Sequence, residues 1–211
     1  MKDLVIIGAG GFGREVADTV QRINSISKEY NLIGFIDDNE DIWNITINGY
    51  EVIGGIDFLK NNFGNKVNAV VAIASANAKK NIVSKLNDYV EWENIIDPTA
   101  LVSKSNVIGK GNIIQPFSVI GPNTIIGNHC VINLRGSIGH DAVLDDYVAM
   151  MSMCDVTGYV HLEEGVYLGS SVCIIPSIVV REYSIIGAGS TVIKNIMETG
   201  TYAGSPAKRI K

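Results

Sequence analysis

His140 and Asp141 stand side by side in the stretch NLRGSIGHDAVLDDY, which runs from Asn133 to Tyr147. An imidazole ordinarily titrates near pH 6.5, so a histidine can take a proton from an attacking group at neutral pH. A carboxylate beside it can orient the ring and stabilise it once protonated. A second constellation lies near the start, in IIGAGGFG: Gly8-x-Gly10-x-x-Gly13 follows an apolar run and opens a helical pattern. That is the context in which backbone N–H groups at a helix N-terminus hold phosphate. Asp37 and Asp38 end the next apolar run, LIGFIDD. The loop alone also fits a nicotinamide dinucleotide with Asp37 on the ribose. Residues 1–94, however, are little more than half of a full dinucleotide fold.

These residues need two different kinds of scaffold. From Met1 to Asn94, short apolar runs (DLVIIGA, LIGFIDD, AVVAIAS) alternate with helically spaced stretches (GREVADTVQRI, NAKKNIVSKLND). EVIGGIDFLKNN reads as a short strand followed by a helix. The alternation predicts a small parallel sheet, an α/β domain over 1–94. From Ile96 to Val192 every sixth residue is apolar without a break, and the next position is glycine at Gly109, Gly121, Gly127, Gly139, Gly169 and Gly187. Four residues after the aliphatic sits a small or apolar one, such as Ser118, Thr124, Cys130, Ala142 or Cys154. A fixed period of six signals a stacked architecture, a parallel β-helix over 95–211 with eighteen residues to each triangular coil. The aliphatic residue and the one four later point inward. Glycine is expected to supply left-handed geometry at the corners. His140, two after the inward Ile138, is expected to face outward.

A short Rossmann-like domain followed by such an array, with GHD inside it and YAGSPAKRIK at its end, resembles the bacterial sugar acetyltransferases of the left-handed β-helix type. These include UDP-4-amino-sugar N-acetyltransferases and sialic acid O-acetyltransferases. The resemblance covers essentially the whole chain. It implies an acetyl-CoA-dependent enzyme with His140 as general base and Asp141 as the acid beside it. It puts Asn133 near the acceptor sugar, and Gly8, Gly10, Gly11 and Gly13 on the nucleotide-sugar loop, with Asp37 and Asp38 at the end of the next strand. Ala149, Ser170 and Ala188 occupy positions that touch acetyl-CoA in relatives, and the tail brings Lys208 and Arg209 toward CoA phosphates. A homotrimer with active sites between subunits is implied as well, in surface polysaccharide biosynthesis. Three positions depart from the pattern. Phe12 replaces a histidine in the loop, Ala149 stands where many relatives have a histidine, and Ala74-Ser75-Ala76 replaces a Gly-Asn-Asn or Gly-Asp-Asn turn, so these residues, Ser75 among them, offer different groups. The expected reaction is N-acetylation of a nucleotide-linked amino sugar. O-acetylation of sialic acid or another sugar hydroxyl is the alternative, or a non-catalytic sugar-nucleotide-binding scaffold.

Other classes fall away on bulk properties. A net charge of −5 gives nucleic acid no electrostatic partner. No stretch approaches the roughly 18 apolar residues that span a bilayer, and the N-terminus lacks the features of a signal peptide. Cys130, Cys154 and Cys173 are odd in number, with no CxxC spacing. They suit a reducing cytoplasm and not a disulfide framework. Cys130 and Cys154 fall at inward positions and are expected to fill the core. His129, His140 and His161 lie at three different places in the hexapeptide, so no metal site is expected.

Overall fold

The computed structural model describes residues 1–63 and 67–211. The chain divides into two compact units, Met1–Pro98 and Thr99–Lys211.

The first unit is built from β1 (Lys2–Ile7), α1 (Gly11–Ser27), β2 (Tyr30–Ile36), β3 (Thr46–Ile47), β4 (Tyr50–Gly54), α2 (Ile56–Asn62), β5 (Val67–Val71), α3 (Ala76–Leu86) and β6 (Val90–Trp92). The sheet order is β3-β4-β2-β1-β5-β6. Every pair is parallel except β3 with β4. β1 is central, which explains its unbroken apolar run: a parallel strand between two neighbours is covered on both faces. Leu4, Val5 and Ile6 are fully buried. α1 presents Val16, Ala17, Val20 and Ile23 as its buried stripe. The edge strands β3 and β6 go beyond the sequence expectation. They have two and three residues, too few to display a period of two.

The second unit is a left-handed parallel β-helix. Two-residue strands recur every six residues and form three sheets, so residues eighteen apart are parallel partners. On one face Val102, Ile120, Ile138, Val156, Ile174 and Val192 lie in line. From Ile114 to Val192 every sixth residue is buried. Val102 and Ile108, in the first coil, are only half-buried, because fewer coils enclose them. Cys130 and Cys154 fill inward positions. Their thiols donate to the carbonyls of Asp145 and Gly169, each at 3.1 Å, and burial pushes the Cys154 thiol up to about 11. Cys173 is half-buried on an outward position, and its thiol too is raised, by burial and then by the charge of Asp155.

The corners correct the reading of the repeat glycines. The left-handed residue is the third after each aliphatic and is mostly not glycine: Phe117, Asn123, His129, Arg135, Asp141, Tyr147, Met153 and Tyr159 all have φ between 56° and 64°. The glycine directly after the aliphatic is there because coils stack closely. A Cβ on Gly139 would lie 2.5 Å from the Gly158 nitrogen of the next coil. Where glycine stands at that position, what it supplies is absence of a side chain, not left-handed freedom.

Candidate functional site

His140 lies at a corner of the β-helix with its side chain 54% exposed. Its outward position follows from Ile138, whose side chain points into the core. Nδ1 sits 2.7 Å from Oδ2 of Asp141. A carboxylate accepts, so Nδ1 carries the proton and Nε2 keeps the lone pair. Nε2 has no protein partner among the described residues. Asp141 can hold this posture because it is the left-handed corner residue, φ 56°, and its own N–H donates to the Pro122 carbonyl at 3.0 Å. The imidazole hydrogen bond holds the Asp141 carboxyl below the usual carboxylate range, and Asn123 and Tyr159 act in the same direction. Asp141 is therefore an anion wherever an imidazole titrates. The pair can accept a proton at Nε2 and stabilise the resulting imidazolium.

The neighbouring coils complete the corner. Asn123, eighteen residues before Asp141, points its amide at Oδ1 across 3.4 Å. Tyr159, eighteen after, sets its ring perpendicular to the imidazole with centroids 5.1 Å apart. Gly158, eighteen after His140, lies under the ring. None of these three is evident from local sequence. The signal that finds them is the coil period, added to or subtracted from His140 and Asp141.

The other two histidines are placed elsewhere. His161 Nε2 lies 3.1 Å from both carboxylate oxygens of Asp145. His129 is buried and stacks on Tyr147 at 5.5 Å. No group of three or more His, Cys, Asp or Glu side chains placed to hold a metal occurs among the described residues.

The glycine loop is shaped by close approaches. Gly8 has φ 105°, and its N–H donates to the Ile36 carbonyl at 2.7 Å. A Cβ on Gly13 would overlap the Gly8 carbonyl oxygen, so only glycine lets α1 begin there. Gly10 is the N-cap, with no side-chain hydrogen bond and open space around it. Gly11 is exposed and Phe12 half-buried. The first N–H groups of α1 face no capping side chain and no acidic residue in the first turn, which suits an anion. Asp37 and Asp38 both serve this architecture. Asp37 accepts from the Ala9 amide at 2.9 Å and the Asn39 amide at 3.0 Å. Asp38 accepts from the Ile56 amide at 2.8 Å, at the start of α2. A cavity of about 150 Å³ beside the loop is lined by Gly8, Asp37, Asp38, Ile56, Ile73 and Ile82, among others. Ser75 does not line it, and its hydroxyl caps α3 by accepting from the Ala78 amide at 3.4 Å.

The remaining predicted positions are spread along the β-helix. Asn133 is half-buried, and its side chain accepts from the Leu134 amide at 2.6 Å. Ala149 is buried in a strand paired with Val131 and Tyr167. Ser170 and Ala188 are exposed. Lys208 and Arg209 form the last strand, antiparallel to Thr201–Ala203. Lys208 is exposed, whereas the Arg209 guanidinium donates to Glu198 at 3.0 Å and to the Thr199 carbonyl at 3.3 Å.

Residues 3–86 match the PglD N-terminal domain family. The chain is 33% identical over 215 residues to GDP-perosamine N-acetyltransferase of Escherichia coli O157:H7, covering 98% of this chain and 95% of that protein. Among solved structures, WeeI from Acinetobacter baumannii AYE superposes with a TM-score of 0.88 at 26% identity over the full length of both chains. PerB from Caulobacter crescentus, solved in complex with CoA and GDP-perosamine, shares the fold with a TM-score of 0.91 at 24% identity, covering 100% of this chain and 98% of that one. The likeness spans the α/β unit, the β-helix and the tail alike, and the chain belongs to the bacterial sugar acetyltransferases of the hexapeptide-repeat, left-handed β-helix family.

Proposed function

We propose that this enzyme transfers the acetyl group of acetyl-CoA to the amine of a nucleotide-linked amino sugar, with His140 as general base. The observation that carries this reading is the 2.7 Å contact between His140 Nδ1 and the Asp141 carboxylate, which leaves Nε2 free to accept a proton. The amine nitrogen adds to the thioester carbonyl as Nε2 takes its proton. The C–N bond forms, the C–S bond breaks, and the proton held on the imidazole passes to the departing CoA sulfur. Asp141 keeps the ring in the right tautomer and offsets its positive charge. No covalent acyl-enzyme is needed. The capless N-terminus of α1 and the loop Gly8–Gly13 supply donors for the nucleotide diphosphate. Asn133 is assigned to the acceptor sugar, and Ala149, Ser170, Ala188 and Lys208 to acetyl-CoA. Arg209 joins them where a CoA phosphate outcompetes Glu198. N-acetylation is favoured over O-acetylation by the identity to GDP-perosamine N-acetyltransferase along the whole chain.

The test is release of CoA thiol from acetyl-CoA across GDP- and UDP-linked 4-amino sugars, their 4-hydroxy counterparts, and free sialic acid. Turnover is expected with a nucleotide-linked amino sugar and not with the hydroxyl analogue. Turnover with sialic acid or a 4-hydroxy sugar alone would replace N- by O-acetylation. Silence across the panel would leave the scaffold reading.

The assembly we assign is a homotrimer with active sites between subunits. It is supported by apolar side chains on outward positions of the β-helix: Leu101, Val107, Val119 and Ile125 are 46–68% exposed in the single chain, and such a surface calls for a partner. Light scattering should give about three times the 22.7 kDa of one chain. A particle of 22.7 kDa at micromolar concentration would refute it. The compartment we assign is the reducing cytoplasm, a reading supported by three cysteines without CxxC spacing.

A further inference from the structure

The coil period puts Gly158 beneath His140 and Tyr159 beneath Asp141. Two features of this pair are not demanded by the fold. A Cβ built on Gly158 would stand 2.8 Å from His140 Nε2, 2.9 Å from Cε1 and 3.3 Å from Cδ2, and these ring atoms are its three nearest neighbours. Its φ lies outside the left-handed region, so an L side chain suits the backbone. The absence of a side chain at this position thus makes room for the imidazole. Tyr159 is 59% exposed and adds little to the core, yet its ring meets the imidazole edge-to-face at 5.1 Å and 90°. Its N–H donates to the His140 carbonyl at 3.1 Å, which ties the two corners together.

We propose that Gly158 and Tyr159 are positioning residues for the base: Gly158 is the floor on which the His140 ring lies, Tyr159 is the wall beside it, and with Asp141 they fix the direction of Nε2. The inference rests on His140 being the general base and goes beyond it by naming what aims the base. A ring held at one point, Nδ1, can still rock about that hydrogen bond. Contacts on its face and edge remove that freedom, and misplacement of a reacting group by about 1 Å can cost roughly 10²-fold in rate. The titratable groups against the ring are Asp141 and Tyr159, and Asn123 from the preceding coil is neutral.

Two variants separate this role from a structural one. Gly158→Ala is expected to lower kcat by roughly 10–10²-fold, with KM for acetyl-CoA and Tm unchanged, and to add nothing further in a His140→Ala background. Tyr159→Ala removes the wall: kcat is expected to fall by roughly 10-fold with KM for acetyl-CoA unchanged, and the NMR resonances of the His140 ring protons, which lie against the tyrosine ring at 5.1 Å, are expected to move. Those resonances are identified by their loss in His140→Ala. Wild-type kcat in Gly158→Ala, or unmoved His140 ring resonances in Tyr159→Ala, overturns the proposal. If Gly158→Ala also lowers Tm, the Tyr159→Ala spectrum decides. The NMR arm needs no acceptor, so an enzyme silent toward every amino sugar would refute the functional reading while the seating of His140 is still judged.

Discussion

Replacing His140 with alanine is expected to lower turnover by roughly 10²–10⁴-fold, the contribution of a positioned general base. Acetyl-CoA binding should change little, because in the proposed mechanism Nε2 meets the attacking nitrogen and not the CoA body. The effect belongs in kcat. Asp141→Asn should cost less, since an asparagine oxygen can still accept from Nδ1 and preserve the tautomer, while the negative charge that stabilises the imidazolium is gone. The sign of the pH dependence follows from the pair. The carboxyl of Asp141 is held below the usual carboxylate range, chiefly by its hydrogen bond with His140, so it stays ionised across the range in which an imidazole titrates. A single protonation then governs the acid side: kcat rises with pH as the imidazole loses its proton and flattens above. With the anion removed in Asp141→Asn, the imidazolium is less stable and the limb should move to lower pH. A His140→Ala enzyme with full activity and an unchanged profile would remove the residue from the mechanism and leave the acceptor amine to activate itself.

The two halves of the chain were legible to different degrees, for a physical reason. A β-helix repeats one constraint, an aliphatic residue stacked on its equivalents above and below, and the unbroken period from Ile96 to Val192 imprints it on the sequence. Inward Ile138 and outward His140 both follow from that register. The role of the repeat glycines did not follow, because absence of a side chain and freedom of φ leave the same letter in the sequence. The close approach of the Gly158 nitrogen to where a Gly139 Cβ would stand, and a φ outside the left-handed region, separate the two. In the α/β unit the central strands could be read from their apolar runs, whereas β3 and β6 were too short to carry a pattern. The acids Asp37 and Asp38 illustrate a different gap. Their position after a strand points to ligand contacts, while the amides of Ala9 and Ile56 that they also hold are a tertiary fact with no local signature. Gly158 and Tyr159 are an intermediate case. Nothing in their own neighbourhood marks them, yet the coil length of eighteen places them against the dyad.

Ile138→Asp should destabilise the β-helix by roughly 3–5 kcal/mol, the cost of an unpaired buried charge. Ile138 is 2% exposed and lies between Ile120, also 2%, and Val156, which is fully buried. In its own column Ile138 meets aliphatic side chains above and below, and these offer no donor to a carboxylate. The chain can respond by protonating the acid, which still leaves a polar group without partners, or by opening the coil. Opening is costly because coils stack in one dimension and each depends on the next. Ile138→Val supplies the comparison: it removes one methylene from the same column and should cost only about 0.5–1.5 kcal/mol. Thermal and urea melts of the two variants should therefore differ by several kcal/mol at one position. The aspartate variant should also lose turnover, because its strand leads directly into His140 and Asp141. A melting curve for Ile138→Asp that overlays the wild type would mean that this side chain does not face the core. The register would then be off by one residue, since alternate positions along a strand face opposite ways, and the outward placement of His140 would fall with it.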